Sequence, residues 1–404
     1  MAIGLNELPT LYPVAGVRLA VAQAGIRHPN RDDVVLIACD EGTVCAGVYT
    51  QNAFCAAPVQ IAKINMSAAA TRALLINSGN ANAGTGAPGM QAALDCCDSA
   101  AQALGCDPQQ VLPYSTGVIG ELLPASKIQA VIPELTRHLQ EDQWAAAARA
   151  IMTTDTVAKG VSVKFTVSGQ QVTLTGIAKG SGMIRPDMAT MLAYLATDIG
   201  MEQGLLQACL MRAVERSFNR ITVDGDTSTN DACMLLATGQ SGVSLDSTSV
   251  ELDVFVEALT SMCQQLAQAV IRDGEGVTKF ISVQVEGGID SDECLQVAYT
   301  IAHSPLVKTA FFASDPNWGR ILAAVGRSGL SDLDVDKVNI YLDDVCIVDK
   351  GGRAASYTEQ QGQTVMAQEE ITIRVMLGRG QSIETVWTTD LSYDYVKINA
   401  EYRT

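Results

Sequence analysis

A threonine that follows a small residue at the end of a glycine loop has a chemistry open to it that needs no partner side chain. In KGSGMIRPDMATMLAYLATD, Lys179 to Asp198, that threonine is Thr190 and the small residue is Ala189. A threonine hydroxyl is a weak nucleophile unless a base takes its proton, and the local sequence offers no histidine or cysteine for the task. If the peptide bond before Thr190 is cut, the freed α-amine becomes that base, because its intrinsic pKa of about 7.7 to 8.0 leaves a sizeable neutral fraction near pH 7. The hydroxyl can make the cut itself. Thr190 Oγ attacks the Ala189 carbonyl, the amide shifts to an ester, and water releases a new N-terminus. Small Ala189 allows the close approach, and Pro186 helps to fix the preceding turn. The same pattern also describes a β-branched residue starting a buried strand, and spacing alone favours that plainer account.

The remaining clusters offer less. His28, His138 and His303 lie far apart without metal-ligand spacing, so each is expected to be a surface or core residue, and no metal is implied. ITVDGDTSTND places Asp224, Asp226 and Asp231 close together, but Leu235 stands where a calcium loop needs its glutamate. A hydrogen-bonded turn is the expectation there. NSGNANAGTG (Asn77 to Gly86) and GMIRPD are glycine loops that match neither phosphate-binding pattern, and each reads as a tight loop near a site.

Positioning such residues requires a scaffold of short strands and helices. VVLIACDEG, VCAGVYTQN and ALLINSGNANAG read as strands, the last running into the polar loop. GMQAALDCCDSAAQALG and DQWAAAARAIM read as helices, and VSVKFTVSG with QQVTLTGIAKG as a hairpin delivering the chain to Lys179. After the strand TMLAYLATD, MEQGLLQACLMRAVERSF gathers Leu205, Leu206, Cys209, Leu210, Ala213 and Val214 on one helical face. A longer helix, LDVFVEALTSMCQQLAQAVIRD, ends at Asp273-Gly274. FISVQVEGG, KVNIYLDDVCIVD, ITIRVMLG and ETVWTTDLS then read as strands, with helices through ECLQVAYTIAHS and RILAAVGRSG. Helices covering stacked sheets fit this order better than a doubly wound sheet, and composition marks no domain boundary.

Composition narrows the classes further. The 404 residues are 48% hydrophobic and 18% charged with 34 glycines, as expected of a compact, loop-punctuated enzyme with a core of its own. The net charge of −17, from 27 basic and 44 acidic residues, argues against nucleic acid and anionic lipid as partners. Eleven scattered cysteines without a C-x-x-C pair suggest buried thiols in a reducing compartment, hence the cytoplasm. The start MAIGLNELPTLYPVAG has no basic or apolar leader, and no later segment is expected to reach membrane-spanning length.

KGSGMIRPDMATML closely resembles the cleavage-site signature of the ornithine acetyltransferase family, also called glutamate N-acetyltransferase, of arginine biosynthesis. The ordered blocks NSGNANAGTG, STGVIGE, IMTTDT, SFNRITVDGDTSTND, DGEGVTK, SPLVKTAFFASDPNWGRI and YDYVKINAEYRT extend the match from residue 77 to 404. The resemblance implies an α+β fold, a four-layer α/β/β/α sandwich with mixed sheets. It implies self-cleavage between Ala189 and Thr190 into an α chain, 1–189, and a β chain, 190–404, that stay associated, usually as α₂β₂. Thr190 would take acetyl from N²-acetylornithine and pass it to glutamate, with acetyl-CoA as a second donor in some members and no cofactor. Thr116-Gly117 match the oxyanion pair, worth about 3 to 4 kcal/mol per donor. Lys179 matches a contact suited to a carboxylate, and Glu275 one suited to the ornithine amine. Thr153 and Thr154 match the substrate-contact block, and Asn399 and Thr404 the C-terminal contacts. Two positions depart from the common pattern: Asp187 replaces the usual Asn before Met-Ala-Thr, and Arg185 stands where other residues are frequent. The rival from another class is a threonine-nucleophile amidohydrolase or aminopeptidase with similar self-cleavage, and a further rival is a non-catalytic binding protein that keeps the fold.

Overall fold

The computed structural model describes residues 2–5, 7–185 and 191–401. The chain forms two compact units. The larger comprises Asn6–Asn219 and Thr227–Val270; the smaller comprises Met1–Leu5, Arg220–Asp226 and Ile271–Thr404. This is a spatial division, whereas the two chains expected from a cut at 189/190 are a covalent one, and the larger unit draws on residues from both sides of that cut.

In the larger unit, a four-stranded sheet runs in the order Val17–Ala22, Val34–Cys39, Ala73–Asn80, Val111–Val118, its last pair parallel and the others antiparallel. A five-stranded mixed sheet has the order Val44–Tyr49, Ala232–Ala237, Leu192–Thr197, Gln170–Lys179, Lys159–Val167. Val34–Cys39, Leu192–Thr197 and Ala232–Ala237 are buried at every residue, so both faces of each sheet must be covered. On the inner side, Leu19, Ile37, Leu74 and Tyr114 of the first sheet share a core with Ile177, Leu192, Tyr194 and Met234 of the second. On the outer side of the first sheet, Leu36, Leu75 and Val111 pack on Cys97 and Ala100 of the helix Gly86–Leu104 and on Ile128 and Ile132 of Ala125–Arg137.

The outer side of the second sheet takes the helix Leu252–Arg272. A Cβ on Gly176 would stand 3.0 Å from Met262 Sδ and 3.3 Å from Leu266 Cδ1, so this strand has no side chain where the helix lies closest. The helix Gln203–Glu215 adds a polar tie: Gln207 accepts from the Gly47 N–H at 3.1 Å and donates to its carbonyl at 3.0 Å, satisfying the edge strand. Leu206, Cys209, Leu210, Ala213 and Val214 of that helix are buried, as the helical spacing predicts, while Leu205 is only half-buried. These layers, helix on sheet on sheet on helix, are the α+β sandwich expected.

One expectation is corrected. Leu252–Arg272 does reach the length and hydropathy of a membrane span. Its apolar residues fall on one stripe, with Phe255, Leu259, Met262, Cys263 and Leu266 fully buried and Asp253, Glu257 and Gln265 exposed, which is the pattern of a long helix on a sheet.

The smaller unit is a seven-stranded mixed sheet in the order Ile221–Thr222, Ser382–Thr389, Phe280–Gly288, Glu370–Met376, Asn339–Leu342, Val345–Asp349, Gly352–Arg353. Its strands alternate: Ile371, Ile373 and Val375 are buried while Thr372 and Arg374 are less so. The apolar face meets Val297 and Ile301 of the helix Ser291–Ala302, Val307 and Phe311 of Pro305–Phe312, and Ile321 and Val325 of Trp318–Gly326.

Candidate active site

Strand ends bring the first group together. Ala73–Asn80 and Val111–Val118 run parallel with Ser78 opposite Thr116 and Gly79 opposite Gly117, and the register breaks just beyond, at Asn80. Gly79 has φ +95° and Gly117 φ +134°. A Cβ on Gly117 would lie 2.3 Å from the Gly79 carbonyl carbon and 2.5 Å from Asn80 N, so only glycine lets the two backbones touch there. Thr116 is buried beside it, and its Oγ1 accepts a hydrogen bond from Lys179 Nζ at 3.2 Å. Lys179 is the last residue of its strand and half-buried.

Beneath Lys179 lies an acid that sequence reasoning passed over. Asp155, inside TTDT, is buried, and its side chain wholly so. Its Oδ1 accepts from Lys159 Nζ at 2.6 Å and from the Gly180 N–H at 2.8 Å, and its Oδ2 from the Thr153 N–H at 3.0 Å. Burial by itself pushes this carboxyl up, but the Lys159 and Lys179 charges and these hydrogen bonds outweigh it and hold the group well below the usual carboxylate range. Asp155 thus pins the Thr153-Thr154 turn to the Lys179-Gly180 turn. Both threonines are half-buried.

Where a tight glycine loop was expected, residues 77–80 close the strand Ala73–Asn80, and 81–85 run irregularly into the helix Gly86–Leu104. Asn77, Asn80 and Asn82 are buried and each bonds backbone: Asn77 donates to Asn80 O at 2.9 Å, Asn80 accepts from Asn82 N at 2.8 Å, and Asn82 donates to Gly89 O at 2.9 Å, while Asn77 and Asn82 also accept from the Ser115 and Thr85 hydroxyls. Asn230 closes the arrangement by donating to Ala81 O at 2.6 Å and Ser115 O at 2.9 Å.

The aspartates of ITVDGDTSTND do not form one turn. Asp224 accepts from Asp226 N at 3.2 Å in the smaller unit, while Asp231 belongs to the larger. Asp231 is fully buried, and its Oδ2 has no hydrogen-bond partner among the described residues. Burial pushes its carboxyl well above the ordinary range, with Ser228 and Lys179 opposing the rise. Among the described residues no group of three or more His, Cys, Asp or Glu could hold a metal.

Ala189 and Thr190 lie outside the described residues, as do Pro186 and Asp187. The described chain resumes at buried Met191, whose carbonyl accepts from Ala232 N at 3.1 Å, and continues as the central strand Leu192–Thr197. Lys179 pairs with Leu192, so the segment between them joins two neighbouring antiparallel strands.

The smaller unit brings Glu275 and Asn399 together. Glu275 is buried, and its Oε2 accepts from Asn399 Nδ2 at 2.8 Å. Asn399 sits on the helix Tyr393–Ala400, which is capped by Ser392 and closes on Gly276, where a Cβ would stand 2.4 Å from Tyr395 N. Ser392 Oγ donates to Gly276 O at 2.6 Å, and Tyr395 Oη donates to Asp224 Oδ2 at 3.2 Å. Burial first, and then the adjacent Asp224 charge, keep the Tyr395 hydroxyl protonated far above its ordinary pKa. Thr404 lies outside the described residues.

Thr116 bonded to Lys179, beside a close approach of backbones that only glycine allows, stands near the strand ends of an α+β sandwich. The chain belongs to the ArgJ family, which matches it over residues 18–404. It is 57% identical to the arginine biosynthesis bifunctional protein ArgJ of Pseudomonas fluorescens (strain Pf0-1) over the whole of both chains. It is also 57% identical to the protein of that name from Methylococcus capsulatus, over 98% of this chain and 97% of that one. The crystal structure of arginine biosynthesis bifunctional protein argJ from Bacillus halodurans is 37% identical, with a TM-score of 0.50, and covers 52% of this chain and 99% of its own.

Proposed function

We propose that this chain cuts itself between Ala189 and Thr190 and then transfers acetyl from N²-acetylornithine to L-glutamate, as a glutamate N-acetyltransferase of arginine biosynthesis. Membership of the ArgJ family supports the reaction. The observation that carries the site is the Thr116 Oγ1 to Lys179 Nζ bond at 3.2 Å, made beside Gly117 and over buried Asp155. The solved Bacillus halodurans chain spans about half of this one along 99% of its own length, the proportion one of two fragments would have.

After the cut, the Thr190 α-amine takes the hydroxyl proton while Oγ attacks the acetyl carbonyl carbon. Negative charge then develops on the carbonyl oxygen, where donors at Thr116-Gly117 stabilise it by about 3 to 4 kcal/mol each. As the carbon–nitrogen bond breaks, the proton passes to the departing α-nitrogen and ornithine leaves. Glutamate's amine attacks the acetyl ester next, and the threonine oxygen recovers a proton. Lys179 is suited to the amino-acid carboxylate, and Glu275 with Asn399 to the ornithine side-chain amine. Thr153, Thr154 and Thr404 complete the contacts. The two chains remain held together because strands from either side of the cut, Gln170–Lys179 and Leu192–Thr197, pair in one sheet. The assembly is α₂β₂, and free, mostly buried thiols suit the cytoplasm.

The bifunctional naming of the relatives supports acetyl-CoA as a second donor. Ornithine release from N²-acetylornithine, measured with and without glutamate and beside a parallel assay with acetyl-CoA, tests the reading. Release that is equal in both conditions would turn the protein into an amidohydrolase.

A further inference from the structure

The two amino acids that exchange the acetyl group differ at the far end of the side chain. Ornithine ends in an ammonium, which Glu275 suits, whereas glutamate ends in a second carboxylate, and Lys179 is one cation for two anions. The larger unit holds a further cation against the same strand ends.

Arg31 lies on the turn that joins the antiparallel strands Val17–Ala22 and Val34–Cys39. The Asp33 carboxylate shapes that turn by accepting from the Ala24 N–H at 2.7 Å and the Ile26 N–H at 2.6 Å. Asn30 bends it with φ +61°, a conformation that asparagine tolerates better than most residues. The turn is also fastened to the site. Asp33 O accepts from Ser78 N at 2.9 Å, and Ser78 stands opposite Thr116. A Cβ on Gly79 would lie 3.2 Å from Arg27 Cβ, so the turn rests directly on the glycine that faces Gly117.

The Arg31 side chain reaches the other side of the site. Its Nη2 donates to the Met152 carbonyl at 2.5 Å, one residue before Thr153, and Ser78 Oγ donates to Ala150 O at 2.8 Å just upstream. Asp155 in turn accepts from the Thr153 N–H at 3.0 Å and from the Gly180 N–H, next to Lys179, at 2.8 Å. Hydrogen bonds thus run without a break from the Thr116 strand end through Arg31 to the Thr153 and Lys179 turns. Arg31 is half-buried, its bond is to a neutral carbonyl, and among the described residues it forms no ion pair. Arg27, by contrast, faces Glu121 at 3.8 Å. A guanidinium with one N–H on a carbonyl keeps the rest of its fork for a carboxylate, and partial burial makes that pairing stronger than at the open surface.

We propose that Arg31 is a specificity-determining residue for the acceptor: its guanidinium binds the side-chain carboxylate of glutamate, the group that ornithine lacks. The inference rests on the reading of these strand ends as an acetyl-transfer site with glutamate as acceptor.

Initial rates with N²-acetylornithine as donor and either glutamate or glutamine as acceptor test it, because glutamine keeps the shape of glutamate and loses the charge. The wild-type enzyme should favour glutamate. Arg31→Gln can still donate to the Met152 carbonyl but carries no charge. It should lower kcat/KM for glutamate about tenfold while leaving kcat/KM for glutamine and for N²-acetylornithine within about twofold, so that the preference for glutamate falls about tenfold. Arg31→Lys, which keeps a charge without the fork, should lose about threefold of that preference. An unchanged preference in Arg31→Gln, or an equal fall for glutamate and N²-acetylornithine, would overturn the proposal. If Arg31→Gln does not fold, Arg31→Lys carries the test, and a wild-type preference there overturns the proposal equally, since lysine cannot make the paired bonds. A wild-type enzyme that passes no acetyl to glutamate sinks the underlying reading of the site instead.

Discussion

In the larger unit Thr116 and Lys179 stand at the ends of strands buried on both faces, whereas in the smaller unit Asn399 rides on a terminal helix that has no buried residue of its own. The first support is a sandwich core with a buried ion pair beneath it, Asp155 to Lys159. The second is a set of hydrogen bonds, from Ser392 to Gly276 and from Tyr395 to Asp224, that tie a short helix down by its polar groups. Groups that must meet a developing charge need fixed geometry and gain most from rigid elements. Groups that bind a flexible amine can sit on an element whose local stability is lower. Damage to the larger unit should accordingly appear in kcat and in folding, and damage to the smaller one in substrate affinity.

The largest effect expected is that of Thr190→Ala. Removal of the proposed nucleophile, which the same proposal makes the group that cuts the chain, should leave one uncut 42.7 kDa species by intact mass and lower acetyl transfer by about 10⁴-fold or more. Residual cutting at 189/190 would place the nucleophile elsewhere. Next comes Asp155→Asn, which leaves Lys159 buried without its anion and should cost about 3 to 5 kcal/mol of stability. The pH dependence follows from the lowered Asp155 pKa. A depressed carboxyl contributes stability that is fully present above its unfolded value, about 3.9, and is lost as pH falls through the folded one. Wild-type melting temperature should therefore fall on acidification below about pH 4 more steeply than that of Asp155→Asn. Parallel acid limbs would remove Asp155 from the list of stabilising anions.

Thr116→Ala sharpens the same side of the comparison. It deletes the oxygen that accepts from Lys179 and one member of the proposed oxyanion pair, so kcat should fall by about 10²-fold with substrate KM changed little. A fall in affinity with kcat preserved would make Thr116 a binding residue.

The sequence made some of this legible for identifiable reasons. Leu192–Thr197 and Val34–Cys39 are apolar at nearly every position, and the helix Gln203–Glu215 shows its buried face by spacing alone. Ala125–Arg137, which carries Pro133 in its interior, gives a weaker helical signal. Of the residues named from motif resemblance, Thr116 meets Lys179 in the larger unit and Glu275 meets Asn399 in the smaller, while Ala189, Thr190 and Thr404 lie outside the described residues. What motif reading missed were the buried charges beneath the Lys179 turn, Asp155 and Lys159, because a lone charged residue in a mixed stretch gives no sign of burial. ITVDGDTSTND was misread as one turn for a related reason: the chain passes between units inside it, and no composition change marks the crossing.

The smallest predicted effect lies in the smaller unit. Glu275→Gln keeps the shape of the side chain and can still accept from Asn399, so the helix Tyr393–Ala400 should stay docked through Ser392 and Tyr395. Only the charge proposed to face the ornithine amine is lost. A charge-assisted hydrogen bond is roughly twice as strong as a neutral one, which puts the loss at about 1.4 kcal/mol, or tenfold in KM for N²-acetylornithine. KM for glutamate, which carries no side-chain amine, should move by less than about twofold, and so should kcat for the acetyl-threonine step. That asymmetry between the two substrates is the part that a general loosening of the C-terminal helix cannot mimic, because loosening would also remove Asn399 and weaken every ligand it touches. Equal rises in both KM values would therefore assign Glu275 to holding the helix, and a rise for N²-acetylornithine alone assigns it to the amine.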